Sequence, residues 1–290
     1  MLGRLNNYIL PALGKIQIVD ISLSDVESVL QPIWDIKNET ASRVRRDIEK
    51  IIDLATVKGI RDSNNPARWK GFLDQVFAAP SIVGSDQNQP ALAVSELPDF
   101  WKQLNAVESI GALALQFQIL TVARPGAVRL ATWDEFDLEK KVWTLPAKRA
   151  SAKVKKNHLV PLNETAIAII KSIPKQGDYP FSIKGDKAIS DATMGATIER
   201  MHKQKKAVDG IGYVDHKQQQ KRIVPHGFRS TFKDWSLEFT NYPDEVTELA
   251  LSHVNSDKTR AAYARSQLIE KRRYLMDDWQ HYCTGEQQNV

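Results

Sequence analysis

The chain has 290 residues and a formal net charge of +5, long enough for two domains that each bury a core of their own. Hydrophobic residues at 42% and charged residues at 26% fit a globular protein. The longest apolar stretch, Ile110 to Ala123, is broken by Gln116 and Gln118 and falls short of a membrane span. The single cysteine, Cys283, excludes an internal disulfide and a thiolate-rich zinc site, and the histidines show no metal-ligand spacing. No metal, no cofactor and no membrane partner are expected, and the start of the chain lacks a secretory leader, which suits the cytoplasm.

Charge is unevenly placed. Seven Lys or Arg and no Asp or Glu lie between Lys140 and His158, and seven more between Arg200 and Arg222 face only Asp209 and Asp215. Two basic concentrations in a mildly basic chain suit a polyanion-facing surface, and equally a solvated Lys-rich face.

In chain order, residues 1–77 read as a small helical domain, with Val44, Ile48, Ile51, Ile52 and Ala55 at helical spacing. Ser24 and Asp25 look like a helix start, and Gly59, Asn64, Asn65 and Pro66 punctuate a helix end. Residues 78–95, with Pro80, Gly84, Asp86 and Pro90, read as a linker. The second domain is predicted over 96–282, leaving 283–290 as a tail. It opens with an amphipathic helix carrying Pro98, Phe100, Leu104 and Val107, followed by a buried helix to about Val122.

The period then changes. Trp133, Phe136, Val142, Trp143 and Leu145 lie in short β-forming runs with a turn at Asp137 to Lys140, and His158 to Pro161 is a further strand. The basic segment between Pro146 and Asn157 is then the exposed tip of a hairpin. Helices follow over Glu164–Ile173 and Thr193–Lys206, near Gly227, up to about Ser252, and over Gln267–Cys283, with Ser256 as a cap ahead of Tyr263. The fold class is mainly α with a small antiparallel β-sheet (α+β).

Cleaving a phosphodiester without a metal takes a nucleophile, cations on the non-bridging oxygens and an acid for the leaving oxygen. Arg124 stands at the end of a buried helix, followed by Pro125 and Gly126; it either meets an anion there or pairs with a local carboxylate such as Asp134. His226 and Arg229, in HGFR, are three residues apart at a helix start and share a face. His253 precedes Tyr263 by ten residues in LSHVNSDKTRAAYAR.

ARPG around Arg124, the basic hairpin, HGFR, LSH and AAYAR, in that order, resemble the tyrosine recombinase family, in particular the integrases of temperate phages and genomic islands. The N-terminal helical unit resembles that family's core-binding (DNA-binding) domain. The resemblance implies a site-specific recombinase that cleaves and rejoins double-stranded DNA through a 3′-phosphotyrosine, integrating or excising a mobile element. Tyr263 would be the nucleophile, Arg124 and Arg229 the clamp on the scissile phosphate, His226 the base and His253 a hydrogen-bond partner of a non-bridging oxygen. Loss of a comparable donor costs ~10²–10³ in rate.

Lys153 best matches the family's general acid among Lys148, Lys153, Lys155 and Lys156. Lys148, Arg149, Lys155 and Lys156 are candidate DNA contacts. Implied partners are DNA attachment sites, further copies of the chain (a tetramer on DNA), and DNA-bending and excision accessory proteins, all acting in a bacterial host.

Two departures from the family pattern stand out. The family usually carries a carboxylate three residues after the first arginine, where this chain has Ala127. The chain also begins almost directly with a core-binding-like helix, as a fragment or a simpler class would. Alternative readings are a type IB topoisomerase, which shares the chemistry, and a DNA-binding protein with a degenerate site. The last helix suits packing in cis or on a neighbouring protomer.

Overall fold

The computed structural model describes residues 2–62, 64–80, 89–150, 156–253 and 267–285. Lys153, Lys155, Ser256 and Tyr263 therefore lie outside the described residues. Two compact units divide the chain, Met1–Gln87 and Asn88–Val290. The architecture is mainly helical with small antiparallel sheets. No helix among the described residues is long and apolar enough to cross a membrane.

The first unit is helical. A run that is α over Leu2–Arg4, π over Leu5–Ile9 and α over Leu10–Leu13 (together α1) is followed by α2, Leu23–Trp34, and α3, Asn38–Val57. The helix start read at Ser24 and Asp25 lies in the first turn of α2, whose cap is Ser22: Ser22 and Asp25 form a reciprocal capping box. Val26, Leu30 and Trp34 of α2 meet Val44, Ile48 and Ile52 of α3 in one core. Trp34 closes it by stacking on Trp69, with ring centroids 5.5 Å apart. The chain after α3 is pinned by the buried Asn65, whose amide donates to the Glu49 carbonyl at 2.9 Å and whose oxygen accepts from Ala67 N–H at 2.9 Å. The punctuation legible in Asn64–Pro66 is thus a buried polar anchor.

In the second unit, Leu97–Asn105 (α4) and Ile110–Thr121 (α5) open the fold, and α5, capped by Ser109, is buried over nearly its whole length. Pro125–Arg129 (α6) follows, then the strands β1 (Phe136–Asp137), β2 (Val142–Leu145) and β3 (His158–Pro161) in antiparallel order β1-β2-β3. The register pairs Leu145 with His158 and Val142 with Pro161. Between β2 and β3, Ala147–Ala150 forms a short helix, α7, with Ala150 fully buried. This part of the segment expected as an exposed tip is folded against the domain.

Glu164–Ser172 (α8), Thr193–Asp209 (α9), a hairpin of β4 (Val214–Asp215) and β5 (Lys221–Arg222), Phe228–Phe239 (α10), Asp244–Ala250 (α11) and Ile269–Thr284 (α12) complete the unit. Gly111 lets α5 approach α9 closely, since a Cβ there would lie 2.8 Å from the Thr197 hydroxyl. Within the second basic concentration, Lys203 and Arg222 bind Glu199, and Lys205 binds Asp209.

Two boundaries differ from the sequence reading. Leu92 and Val94, assigned to the linker, are buried in the core of the second unit, and the Thr231 hydroxyl donates to the Leu92 carbonyl at 2.7 Å. Cys283, assigned to the tail, is fully buried on α12. That helix packs in cis: Trp279 contacts Phe232 and Trp235, and its indole N–H donates to the Ile119 carbonyl at 2.8 Å.

Candidate active site

The site begins with two helix ends. Val122, the C-cap of α5, and Ser252, just past α11, are both in the left-handed region, with φ of 47° and 52°. Such a conformation is strained for a residue with a side chain and tends to mark functional positions. Both turn their carbonyls toward arginines. Arg229 donates from Nη1 to the Val122 carbonyl and from Nη2 to the Leu251 carbonyl, the latter at 2.6 Å. Arg124 donates to the carbonyls of Ala150 and Ser252. The C-terminal ends of α5 and α11, where backbone dipoles favour cations, are therefore capped by guanidinium groups.

No carboxylate is among these hydrogen-bond partners of Arg124, and Asp134 lies electrostatically against Arg149 instead. Burial lowers the pKa of Arg124, and burial with the nearby charge of Arg124 lowers that of Arg229. Both guanidinium groups stay charged, and their mutual repulsion is incompletely offset. An anion arriving here would relieve it.

Arg229 is buried on the first turn of α10, whereas His226 is exposed in the preceding 3₁₀ turn, Pro225–Gly227. The glycine of HGFR is required by space, because a Cβ on Gly227 would fall 2.0 Å from the Pro90 carbonyl oxygen. Lost solvation, followed by the charges of Arg229, Arg124 and His253, pulls the His226 pKa below the ordinary imidazole range. His226 is thereby kept neutral and able to accept a proton.

His253 faces Arg229, with Nε2 3.1 Å from Nη2. Its Nδ1 lies 2.9 Å from Glu248 Oε2 on α11. Behind these groups His158 on β3 is buried, and its Nε2 is 3.4 Å from Nη1 of Arg272, a fully buried arginine of α12. His158 is pushed down to about 3 by burial and then by Arg272, Arg124 and Arg229. Gln267 donates to the Asn157 carbonyl and accepts from Leu159 N–H, so the chain entering α12 is fixed to the edge of β3.

The structure thus brings Arg124, His226, Arg229 and His253 together. Lys148 and Lys156 are exposed at the base of the basic segment. Arg149 is not available as a DNA contact in this arrangement: it pairs with Glu135 and donates to the carbonyls of Ala127 and Leu130. Ala127 is buried, 3% exposed, on α6. Sequence reading missed Glu248, Lys233, His158 and Arg272. A signal existed for the first two, since Lys233 follows Arg229 by one helical turn and Glu248 follows Asp244 likewise.

A pair of carbonyl-held arginines, one buried and one half-buried, with two histidines at its edge and a mainly helical domain around it, is the arrangement of a tyrosine recombinase catalytic domain. Residues 92–268 match the phage integrase family and residues 1–72 the phage integrase central domain. The chain belongs to the phage integrase family of tyrosine recombinases.

Prophage integrase IntA of Escherichia coli (strain K12) is 29% identical over 283 residues, covering 95% of this chain and 62% of IntA. The integrase of Enterobacteria phage P4 is 28% identical over 304 residues, covering 97% of this chain and 64% of its own length. The chain thus spans a little under two thirds of these relatives. Lambda integrase shares the fold at 14% identity: residues 75–356, as a dimer on a COC′ core site, align with a TM-score of 0.61 over 92% of this chain and 87% of that one. Its tetramer on a Holliday junction gives a TM-score of 0.61 at 14% identity, over 89% and 71%.

Proposed function

We propose that the protein is a site-specific DNA recombinase that cuts and rejoins double-stranded DNA through a 3′-phosphotyrosine on Tyr263, integrating or excising a mobile element. The observation that carries this reading is the pair of the half-buried Arg124 and the buried Arg229, both held by carbonyl oxygens. Fixed cations that need no reorganisation are what a phosphoryl-transfer transition state requires as charge gathers on its non-bridging oxygens.

In this mechanism the Tyr263 oxygen attacks phosphorus, forming the phosphotyrosine bond as the bond to the 5′-oxygen breaks. The phenol, with an unperturbed pKa near ~10, gives its proton to neutral His226. Lys153 protonates the departing 5′-oxygen, and His253 hydrogen-bonds a non-bridging oxygen. Attack by a new 5′-hydroxyl reverses these steps, and the ester held on the enzyme makes ATP unnecessary.

The first unit takes the role of a core-binding domain on one face of the duplex. Double-stranded attachment sites are the substrate, and four copies on the DNA are the working assembly, by analogy with the lambda integrase tetramer. DNA-bending and excision proteins complete the partners, in the cytoplasm of a bacterial host. A nicked suicide duplex tests the activity: the chain should form an adduct that survives a denaturing gel. A second reading, a DNA-binding protein with a degenerate site, is favoured by Ala127 alone; it forecasts DNA binding without an adduct.

A further inference from the structure

Arg229 can only donate hydrogen bonds, so the 3.1 Å contact between its Nη2 and His253 Nε2 makes Nε2 the acceptor. The ring proton of neutral His253 is then on Nδ1, 2.9 Å from Glu248 Oε2. The other oxygen of that carboxylate, Oε1, lies 2.7 Å from Lys233 Nζ. Lys233 also pairs with Asp244. The result is a continuous chain, Lys233 to Glu248 to His253 to Arg229.

The chain follows from helix spacing. Arg229 and Lys233 lie one turn apart on α10, as do Asp244 and Glu248 on α11, so the two helices present matched faces. Ser236 and Thr247 continue the seam, with hydroxyl oxygens 2.6 Å apart. The family's usual carboxylate position on α6 is the buried Ala127, and Glu248 brings a carboxylate to the arginine cluster from α11.

We propose that Glu248 is the positioning residue for His253: by accepting from Nδ1–H it fixes the ring rotation, so that Nε2 points to where a phosphate oxygen meets Arg229. When that oxygen takes the guanidinium, Nε2 takes a proton from solvent and donates to the phosphate, and the carboxylate stabilises the imidazolium. Electrostatics agree with this division of roles. Burial, then Arg229 and Arg124, pull His253 below its ordinary pKa, while Glu248 acts in the opposite direction. Carboxylates that orient a functional histidine are worth about 10- to 100-fold where such partners have been removed.

The inference rests on His253 facing the phosphate, as under the proposed function, and two measurements on the full chain test it. Without DNA, imidazole ¹H–¹⁵N correlation spectra, assigned with His253→Ala, should show a slowly exchanging, downfield Nδ1–H of His253 in the wild type, and in Glu248→Ala that proton should move upfield and exchange faster. In Glu248→Gln the amide oxygen still accepts from Nδ1, so the tautomer should persist while the His253 titration midpoint moves to lower pH.

On the suicide duplex, Glu248→Ala should slow adduct formation about 10- to 100-fold with DNA affinity unchanged. It should cause no further loss in a His253→Ala background. An Nδ1–H resonance unmoved in Glu248→Ala, an unmoved midpoint in Glu248→Gln, or an equal rate loss with and without His253 would overturn the proposal. If the wild type forms no adduct, the recombinase reading fails, and the spectra still decide whether Glu248 sets the state of His253.

Discussion

The guanidinium of Arg229 donates at 2.6 Å to the carbonyl of Leu251, the C-cap of α11. That bond and its counterpart to Val122 explain how a cation persists at 5% exposure with backbone oxygens in place of a directly bonded carboxylate. Planarity matters here, because one fork must satisfy two carbonyls and still face outward. Arg229→Lys keeps the charge and loses the fork. Its adduct-formation rate should fall by ~10²–10³, with non-covalent DNA binding retained, as measured by single-turnover cleavage beside fluorescence anisotropy.

His158 makes a second, pH-dependent prediction. In an unfolded chain histidine titrates near ~6.5, whereas folded His158 is pushed down to about 3 by burial and then by Arg272, Arg124 and Arg229. The unfolded state therefore binds more protons between these values. Stability from this group is intact above the unfolded value and falls as pH drops toward the folded one, by up to ~1.4 kcal/mol per pH unit. His158→Gln, which cannot take up that proton, should show a shallower decline of urea midpoint between about pH 6 and pH 4. An unchanged slope would show that His158 is not the group responsible.

Among the described residues of the basic segment, Lys148 and Lys156 face solvent and Arg149 turns inward. Lys148→Ala and Lys156→Ala should each weaken DNA binding and reduce the salt dependence of log Kd by about 0.9 per lost phosphate contact. Arg149→Ala should leave that slope unchanged and lower the melting temperature, because it removes the cation paired with Glu135 and the donor to the carbonyls of Ala127 and Leu130. Anisotropy titrations over a salt series, with thermal melts, separate the two behaviours.

These contrasts show what was legible in the sequence. The strand His158–Pro161 and the buried helix ending at Val122 follow from local pattern, HGFR carries its own helix start at the head of α10, and LSH falls at the end of α11. Arg149 was not legible, since its inward turn depends on Glu135 from the neighbouring β1 region and on Ala150 finding the core. The hairpin of Val214–Asp215 with Lys221–Arg222 escaped because two-residue strands in polar sequence have no period to read. Glu248 is an ordinary helical glutamate until α10 and α11 are packed together. Residues whose roles arise from tertiary contact leave only the i,i+4 spacing as a trace.

Trp279 tests the packing of the last helix. It is fully buried against Phe232 and Trp235 and donates to the Ile119 carbonyl at the core of the domain. Trp279→Ala should cost about 3–5 kcal/mol of unfolding free energy, read from urea denaturation. A loss independent of protein concentration is expected for packing in cis, and a concentration-dependent loss would point to a partner protomer.

The chemistry proposed for the chain is a phosphotyrosine formed on Tyr263 while Arg124 and Arg229 hold the scissile phosphate. Incubation with a nicked suicide duplex, followed by proteolysis and mass spectrometry of the adduct, tests it most directly. The account predicts a 3′-phosphonucleotide on the peptide bearing Tyr263, a released strand with a free 5′-hydroxyl, and no adduct with Tyr263→Phe. No adduct from the wild-type chain, or one mapping to another residue and surviving Tyr263→Phe, would contradict it.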